Sequence, residues 1–173
     1  MTRMEPSVRR AAFADARAIA GVHIETWRTA YAHIFPAEFL AGLSIDERAA
    51  LAERLLTEGS EEIFVAELDG RVVGFASGGR SRDEDDAAAP GEVYAIYVNA
   101  AAWGRGAGRR LLDRLEEALR SAGFDEATLW VLEDNPRARR FYEAAGWAFD
   151  GTSDTFSRGG VDAIEVRYRK RLR

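Results

Sequence analysis

Three glycines at every second position, Gly104, Gly106 and Gly108, stand between an apolar run and a helical pattern. Arg105, Arg109 and Arg110 crowd among and just behind them. A strand, a glycine turn and a helix start form a ready anion site, because the first helical N–H groups lack partners and the dipole favours negative charge. Glycine lets a phosphate approach the backbone with no Cβ in the way. Acidic side chains normally suit a first helical turn, and here that turn holds arginines. A bound diphosphate would explain the inversion. The competing reading is that the arginines are ordinary surface side chains. The spacing is G-x-G-x-G rather than the G-x-G-x-x-G of dinucleotide turns. Glu133 and Asp134 do follow the next apolar run, where a ribose-binding acid would stand, but only one βαβ unit follows the glycines.

The rest of the reactive inventory is thin. The 173 residues contain no cysteine, one lysine (Lys170) and two histidines, His23 and His33. That excludes a Cys acyl-enzyme and thiolate metal sites, and leaves a phosphate loop of the Walker type without its lysine. A His-based metal site is starved of material, so no metal is expected. The net charge of −5 argues against nucleic acid or an anionic membrane as partner and is compatible with a cationic substrate. The opening "MTRMEPSVRR" lacks the apolar core of a signal peptide, and no apolar run reaches membrane-spanning length, so a cytoplasmic location is expected.

The elements that must position these residues follow from periodicity and punctuation. Val8–Ala12 reads as a short strand, and Asp15 as the cap of a helix carrying Ile19, Val22, Trp27, Tyr31 and Ile34. Pro36 opens a short helical turn. Ser44 with Glu47 has the form of a capping box before Leu51, Leu55 and Leu56, and Gly59 ends that helix. "EEIFVAELDGRVVGFASGG" reads as a hairpin about Asp69-Gly70. The charged stretch from Ser81, including Asp83 to Asp86, reads as a solvated loop. Glu92–Val98 is an apolar strand, Gly108–Ala122 an amphipathic helix and Ala127–Leu132 a buried strand. Asn135 caps a helix with Pro136 in its first position, and Ala138, Phe141 and Ala145 give it a core face. Tyr142 lies seven residues after Asn135, two turns on along one face. A last hairpin turns at Gly159-Gly160. The order β-α-α-β-β-β-α-β-α-β-β predicts an α/β fold with a mixed sheet.

Two segments resemble the GCN5-related N-acetyltransferases. "YVNAAAWGRGAGRRLL" is similar to the family's acyl-CoA turn, Gln/Arg-x-x-Gly-x-Gly/Ala, with Trp103 in the Gln/Arg place. "LWVLEDNPRARRFYEAAGW" is similar to its strand–Asn–helix–Tyr segment, one amphipathic helix further on. The resemblance spans nearly the whole chain and implies one acetyltransferase domain over residues 1–173. It implies a mostly antiparallel sheet of six to seven strands with flanking helices and a splayed central parallel pair, Glu92–Val98 and Ala127–Leu132. It implies acetyl-CoA as co-substrate, a small-molecule or peptide amine as acceptor and a homodimer.

By the same resemblance, Ile96, Tyr97 and Val98 contact the pantetheine arm. Arg105, Gly106, Ala107, Gly108 and Arg109 hold the pyrophosphate, and Asn135, Arg139 and Tyr142 also meet the cofactor. A phenol with pKa near ~10 stays protonated at neutral pH and can protonate a leaving thiolate, which makes Tyr142 the expected general acid. Glu92 is the expected base for the amine, with Glu25 a weaker rival. Trp27, Tyr31 and Tyr94 are expected at the acceptor pocket, Trp27 and Tyr31 alternatively as core aromatics on one helix face. Two other readings stay open: a non-catalytic acyl-CoA-binding module, which needs neither Tyr142 nor a base, and a dinucleotide enzyme.

Overall fold

The computed structural model describes residues 5–84 and 86–172. The reading of residues 1–4, of Asp85 in the acidic loop and of Arg173 in the basic tail lies outside them. The elements run β1 (Ser7–Arg10), α1 (Ala16–Ala30), α2 (Ala37–Ala41), α3 (Ile45–Glu58), β2 (Glu62–Leu68), β3 (Arg71–Arg80) and β4 (Gly91–Val98). They continue with α4 (Ala107–Ser121), β5 (Glu126–Leu132), α5 (Pro136–Ala144), β6 (Ala148–Arg158) and β7 (Val161–Arg171). All seven strands form one sheet in the order β1-β2-β3-β4-β5-β7-β6.

Every neighbouring pair is antiparallel except β4–β5, which is parallel and short. Only Gly91, Glu92 and Val93 pair with β5, opposite Ala127, Thr128 and Leu129. The register on the β3 side slips at the same place: Gly78 faces Val93 and Ser77 faces Ala95, which leaves Tyr94 as an extra residue. A bulge bends its strand and sharpens the local twist. From Tyr94 on, β4 therefore stays on β3 and leaves β5, and a gap opens between the central strands.

Each face of the sheet is covered by helices for a reason visible in the sequence. Leu111, Leu112, Leu115 and Leu119 of α4 are fully buried against the sheet with Tyr142 and Ala145 after them. Each such leucine contributes about 1.5–3 kcal/mol relative to exposure. On the other face, Ala16, Ile19 and Val22 of α1 and Ala52 of α3 pack on Ile63, Val65 and Phe75. Ser44 caps α3 by accepting the Glu47 N–H, and Gly59 ends it in the left-handed region, as the spacing predicts.

Four local expectations change. The first strand is Ser7–Arg10, and α1 ends at Ala30, short of Ile34. Asp15 does not cap α1 with its side chain. Its carboxylate accepts the Ala12 N–H and pairs with Arg9, which holds it below the usual carboxylate range. The acidic loop is not simply solvated: Asp83 and Asp86 pair with Arg167 and Arg169 of β7, which also hold Asp150. Local composition shows only a charge run. The arginines that neutralise it arrive from a strand more than eighty residues later.

Candidate active site

The gap between β4 and β5 widens into a cavity of about 1060 Å³. The Asn99 N–H bonds the Val73 carbonyl of β3 at 2.8 Å. Alternation along the strand therefore turns the N–H and C=O of Val98, and of Ile96, away from β3 and into the gap. Val98 N–H is left to meet a carbonyl there.

The glycine turn closes one end. Gly104 and Gly106 have φ of 71° and 84°, a region costly for residues with a Cβ. Gly106 caps α4, and the Arg110 N–H is the first to reach back, to the Gly106 carbonyl. The N–H groups of Ala107, Gly108 and Arg109 thus have no intrahelical acceptor, and all three residues line the cavity. Arg109 also pairs with Asp113 at 2.8 Å. Arg110 pairs with Glu5, and neither it nor Arg105 lines the cavity. Of the three arginines that mark this turn in the sequence, one faces the site. An open strand edge and three free helical N–H groups beside residues without side chains fit an extended thioester carrying a diphosphate.

Trp103, which replaces the expected Gln/Arg, acquires a role. Its indole Nε1–H donates to the Val98 carbonyl at 2.6 Å, and the Arg137 guanidinium lies 3.2 Å over its ring. The residue ties the end of β4 to the start of α5 across the turn. A hydrogen bond and a cation–π contact are each worth about 1 kcal/mol. Trp103→Leu is therefore expected to raise the KM for acetyl-CoA about tenfold and to leave kcat unchanged. Steady-state kinetics with a saturating amine check this, and an unchanged KM would remove Trp103 from the turn.

At the middle of the cavity stand Asn135 and Tyr142. The Asn135 side chain caps α5 by accepting the Ala138 N–H at 3.2 Å, and the residue also lines the cavity. Phe141 was the expected core residue of α5, but it is half-buried, and Tyr142 is 7% exposed. Spacing admits both stripes, Ala138-Phe141-Ala145 and Ala138-Tyr142-Ala145, and the docking of α5 decides between them. The Tyr142 ring packs on Phe141 and Trp147, and burial pushes its phenol well above the ordinary value. Arg139 is turned away from the cavity. It donates to the Tyr168 hydroxyl at 3.0 Å and to the Glu133 carbonyl, and it is not among the residues that line the cavity. Arg137, two residues earlier, stands at the cavity instead.

The far end is lined by aromatic and acidic groups. The Trp27 indole donates to the Tyr97 hydroxyl at 3.2 Å, stacks on Phe35 and meets Tyr31 edge-on at 5.1 Å. Trp27 and Tyr31 thus pack and line the cavity at once. Tyr97, expected on the pantetheine arm, points its ring to α1, because its side chain falls on the opposite face from Ile96 and Val98.

Glu92 is 4% exposed at the bottom of the gap. It accepts the Arg82 N–H at 2.7 Å and pairs with the Arg82 guanidinium at 3.6 Å. Burial pushes its carboxyl up, against the pull of Arg82. Tyr94 donates its hydroxyl to the Arg80 carbonyl and stacks under Arg82. Glu25 is exposed and outside the cavity. His23 is held to about 3 by burial and by Arg48 and Arg158, and lies behind Trp27 and Tyr97. Among the described residues no group of three or more His, Asp or Glu could hold a metal ion.

Arg82, Phe156 and Glu165 line the cavity without having been singled out in the sequence. They come from a loop and from the last hairpin, and no local motif marks them.

The sequence pattern of the acetyltransferase (GNAT) family matches residues 24–147. An uncharacterized N-acetyltransferase of Bacillus subtilis, YuaI, is 38% identical over 161 residues, covering 92% of this chain and 90% of that protein. Among solved structures, an N-acetyltransferase of Staphylococcus aureus Mu50 superposes with a TM-score of 0.78 at 24% identity, over 98% of this chain and all of the other. YncA of Salmonella typhimurium, a putative acetyltransferase solved with acetyl-CoA, has a TM-score of 0.75 at 24% identity, over 98% and 95% of the two chains.

Proposed function

The chain belongs to the acetyltransferase (GNAT) family, and from that premise we propose how its own residues move an acetyl group from acetyl-CoA to a primary amine in one ternary complex. It is an acetyl-CoA-dependent N-acetyltransferase, and a non-catalytic module on the same fold is the weaker reading. Acetyl-CoA supplies the acetyl group as a thioester, whose sulfur the amine nitrogen displaces. The observation that carries the residue assignment is the one cavity that holds the open β4 edge, the free N–H groups of α4, Tyr142 and Glu92 together.

Ala107, Gly108 and Arg109 hold the pyrophosphate by backbone N–H, with Arg109 adding its charge. Ile96 and Val98 present backbone groups to the pantetheine arm, and Val98 N–H polarises the carbonyl under attack. Glu92 takes the proton that the acceptor ammonium must lose, through water where the distance requires it. The C–N bond forms, the C–S bond breaks, and the Tyr142 hydroxyl gives its proton to the departing sulfur. The attack leaves the nitrogen with one proton too many, which it releases to solvent, and the phenol regains a proton from solvent.

We take residues 1–173 as one domain, cytoplasmic and homodimeric. No helix of the described residues is long and apolar enough to cross a membrane.

A thiol-release assay with acetyl-CoA across a panel of amines tests the reading. The expected result is amine-dependent release of CoA with an acetylated amine found by mass spectrometry. Tight acetyl-CoA binding with no turnover on any amine would favour the binding module. Stabilisation by NAD rather than acetyl-CoA would favour the dinucleotide enzyme.

A further inference from the structure

The carboxylates on the acceptor face of the sheet are paired with arginines, except Glu165 and the exposed Asp154 opposite it. Glu92 has Arg82, Asp83 has Arg167, Asp86 has Arg167 and Arg169, Asp150 has both, and Glu126 has Arg169. Glu165 of β7 is half-buried, lines the cavity and has neither an ion pair nor a hydrogen bond from its side chain among the described residues. Its surroundings add negative charge. Asp154 stands directly across the β6–β7 ladder, and Asp83 and Glu92 act on it as well. Like charges directly opposite one another destabilise a sheet. Burial and these neighbours hold the Glu165 carboxyl above its ordinary value. An unpaired carboxylate in such surroundings is a stability cost that a cationic ligand would relieve.

The surrounding wall suits an organic cation. Glu165 pairs in register with Leu132, the last residue of β5, which puts it beside the mouth of the β4–β5 gap. Trp27, Tyr31, Tyr97 and Phe156 line the same cavity, and aromatic rings attract a positive charge. On the α1 wall, Thr26 is 6% exposed, and its hydroxyl has no hydrogen-bond partner among the described residues. The nearby cations are engaged elsewhere: Arg82 with Glu92, and Arg158 over the outer Phe156 ring at 5.6 Å.

Resting on the acetyltransferase reading, we propose that the acceptor is a primary amine carrying a second positive charge, of the aliphatic diamine class, and that Glu165 seats that second charge. The reacting nitrogen must be neutral to attack. A carboxylate paired with it would hold it protonated, so Glu165 suits the nitrogen that stays charged, and Glu92 the one that loses its proton.

The test compares 1,4-diaminobutane, 1-aminobutane and 4-aminobutanoate as acceptors for the full chain and for Glu165→Gln and Glu165→Asp. The expected result is a kcat/KM for the diamine at least about tenfold above the monoamine, with the amino acid poorest. Glu165→Gln collapses the diamine-to-monoamine ratio through KM, and Glu165→Asp restores part of it. Three results overturn the proposal. One is a wild type without preference. Another is a preference that survives Glu165→Gln. The third is an equal loss of kcat for all amines together with loss of the acidic limb of the pH profile, which would make Glu165 the base. If no amine is turned over, the acetyltransferase reading itself fails. Calorimetric binding of the diamine to the CoA-bound protein then still decides the role of Glu165, by its loss or survival in Glu165→Gln.

Discussion

Tyr142→Phe is expected to lower kcat by roughly 10²–10⁴-fold and to leave acetyl-CoA binding intact. The substitution removes one oxygen from a side chain that is 7% exposed and keeps the ring contacts to Phe141 and Trp147. No hydrogen bond is lost, because the described residues make none with that hydroxyl, so the fold has no reason to weaken. What is lost is a proton held within the cavity. Burial raises the phenol above its ordinary value, so it remains a proton donor throughout the working pH range and adds no limb to the pH profile of the wild type. Stopped-flow release of CoA with a saturating amine, beside calorimetric binding of acetyl-CoA, separates the two quantities. Unchanged kcat would end the general-acid assignment.

Glu92→Gln is the second large effect, a fall in kcat/KM of roughly 10²–10⁴-fold with loss of the acidic limb. Glu92 must be ionised to accept a proton, so activity rises with pH as the carboxyl titrates. Its pKa is raised by burial, which places the limb above the ordinary glutamate value. The stability effect has the opposite sign. A carboxyl whose folded pKa lies above its unfolded value favours folding most below the unfolded pKa and loses that contribution as pH rises through the folded one. At neutral pH the ionised group is therefore a burden, and Glu92→Gln is expected to leave Tm unchanged or raise it. The amide oxygen can still accept the Arg82 N–H that the carboxylate accepts now. Lower activity with a lower Tm would mark Glu92 as structural. Lower activity with Tm held, and a pH profile that has lost its acidic limb, marks it as the base.

Much of the frame was legible without coordinates because it depends on neighbours in sequence. The Ser44 and Asn135 caps, the left-handed glycines at 59, 106 and 146, and the Asp69-Gly70 turn are decided within four or five residues. The α4 stripe of leucines needs only the helical period to be read. The anion site is of the same kind, since a strand, a glycine turn and a helix start carry their chemistry in the backbone.

The tertiary structure decided whatever depends on partners distant in the chain. Two stripes of α5 were equally well spaced, and docking chose Tyr142 for burial over Phe141. Arg105, Arg109, Arg110 and Arg139 look alike in the sequence. Ion pairs and strand position send Arg110 to Glu5 and Arg139 to Tyr168, and leave Arg109 at the cavity. Trp103 has no visible purpose until Val98 and Arg137 meet it. Glu165 sits two residues before Arg167 in its strand, and nothing local shows that it lines the cavity without a cation. Backbone preference and capping are short-range energies, so the sequence by itself determined the elements, the glycine turn and the family. Charge pairing and side-chain facing depend on strand register and helix docking, which exist only once the chain has folded, and these decided which residues reach the cavity.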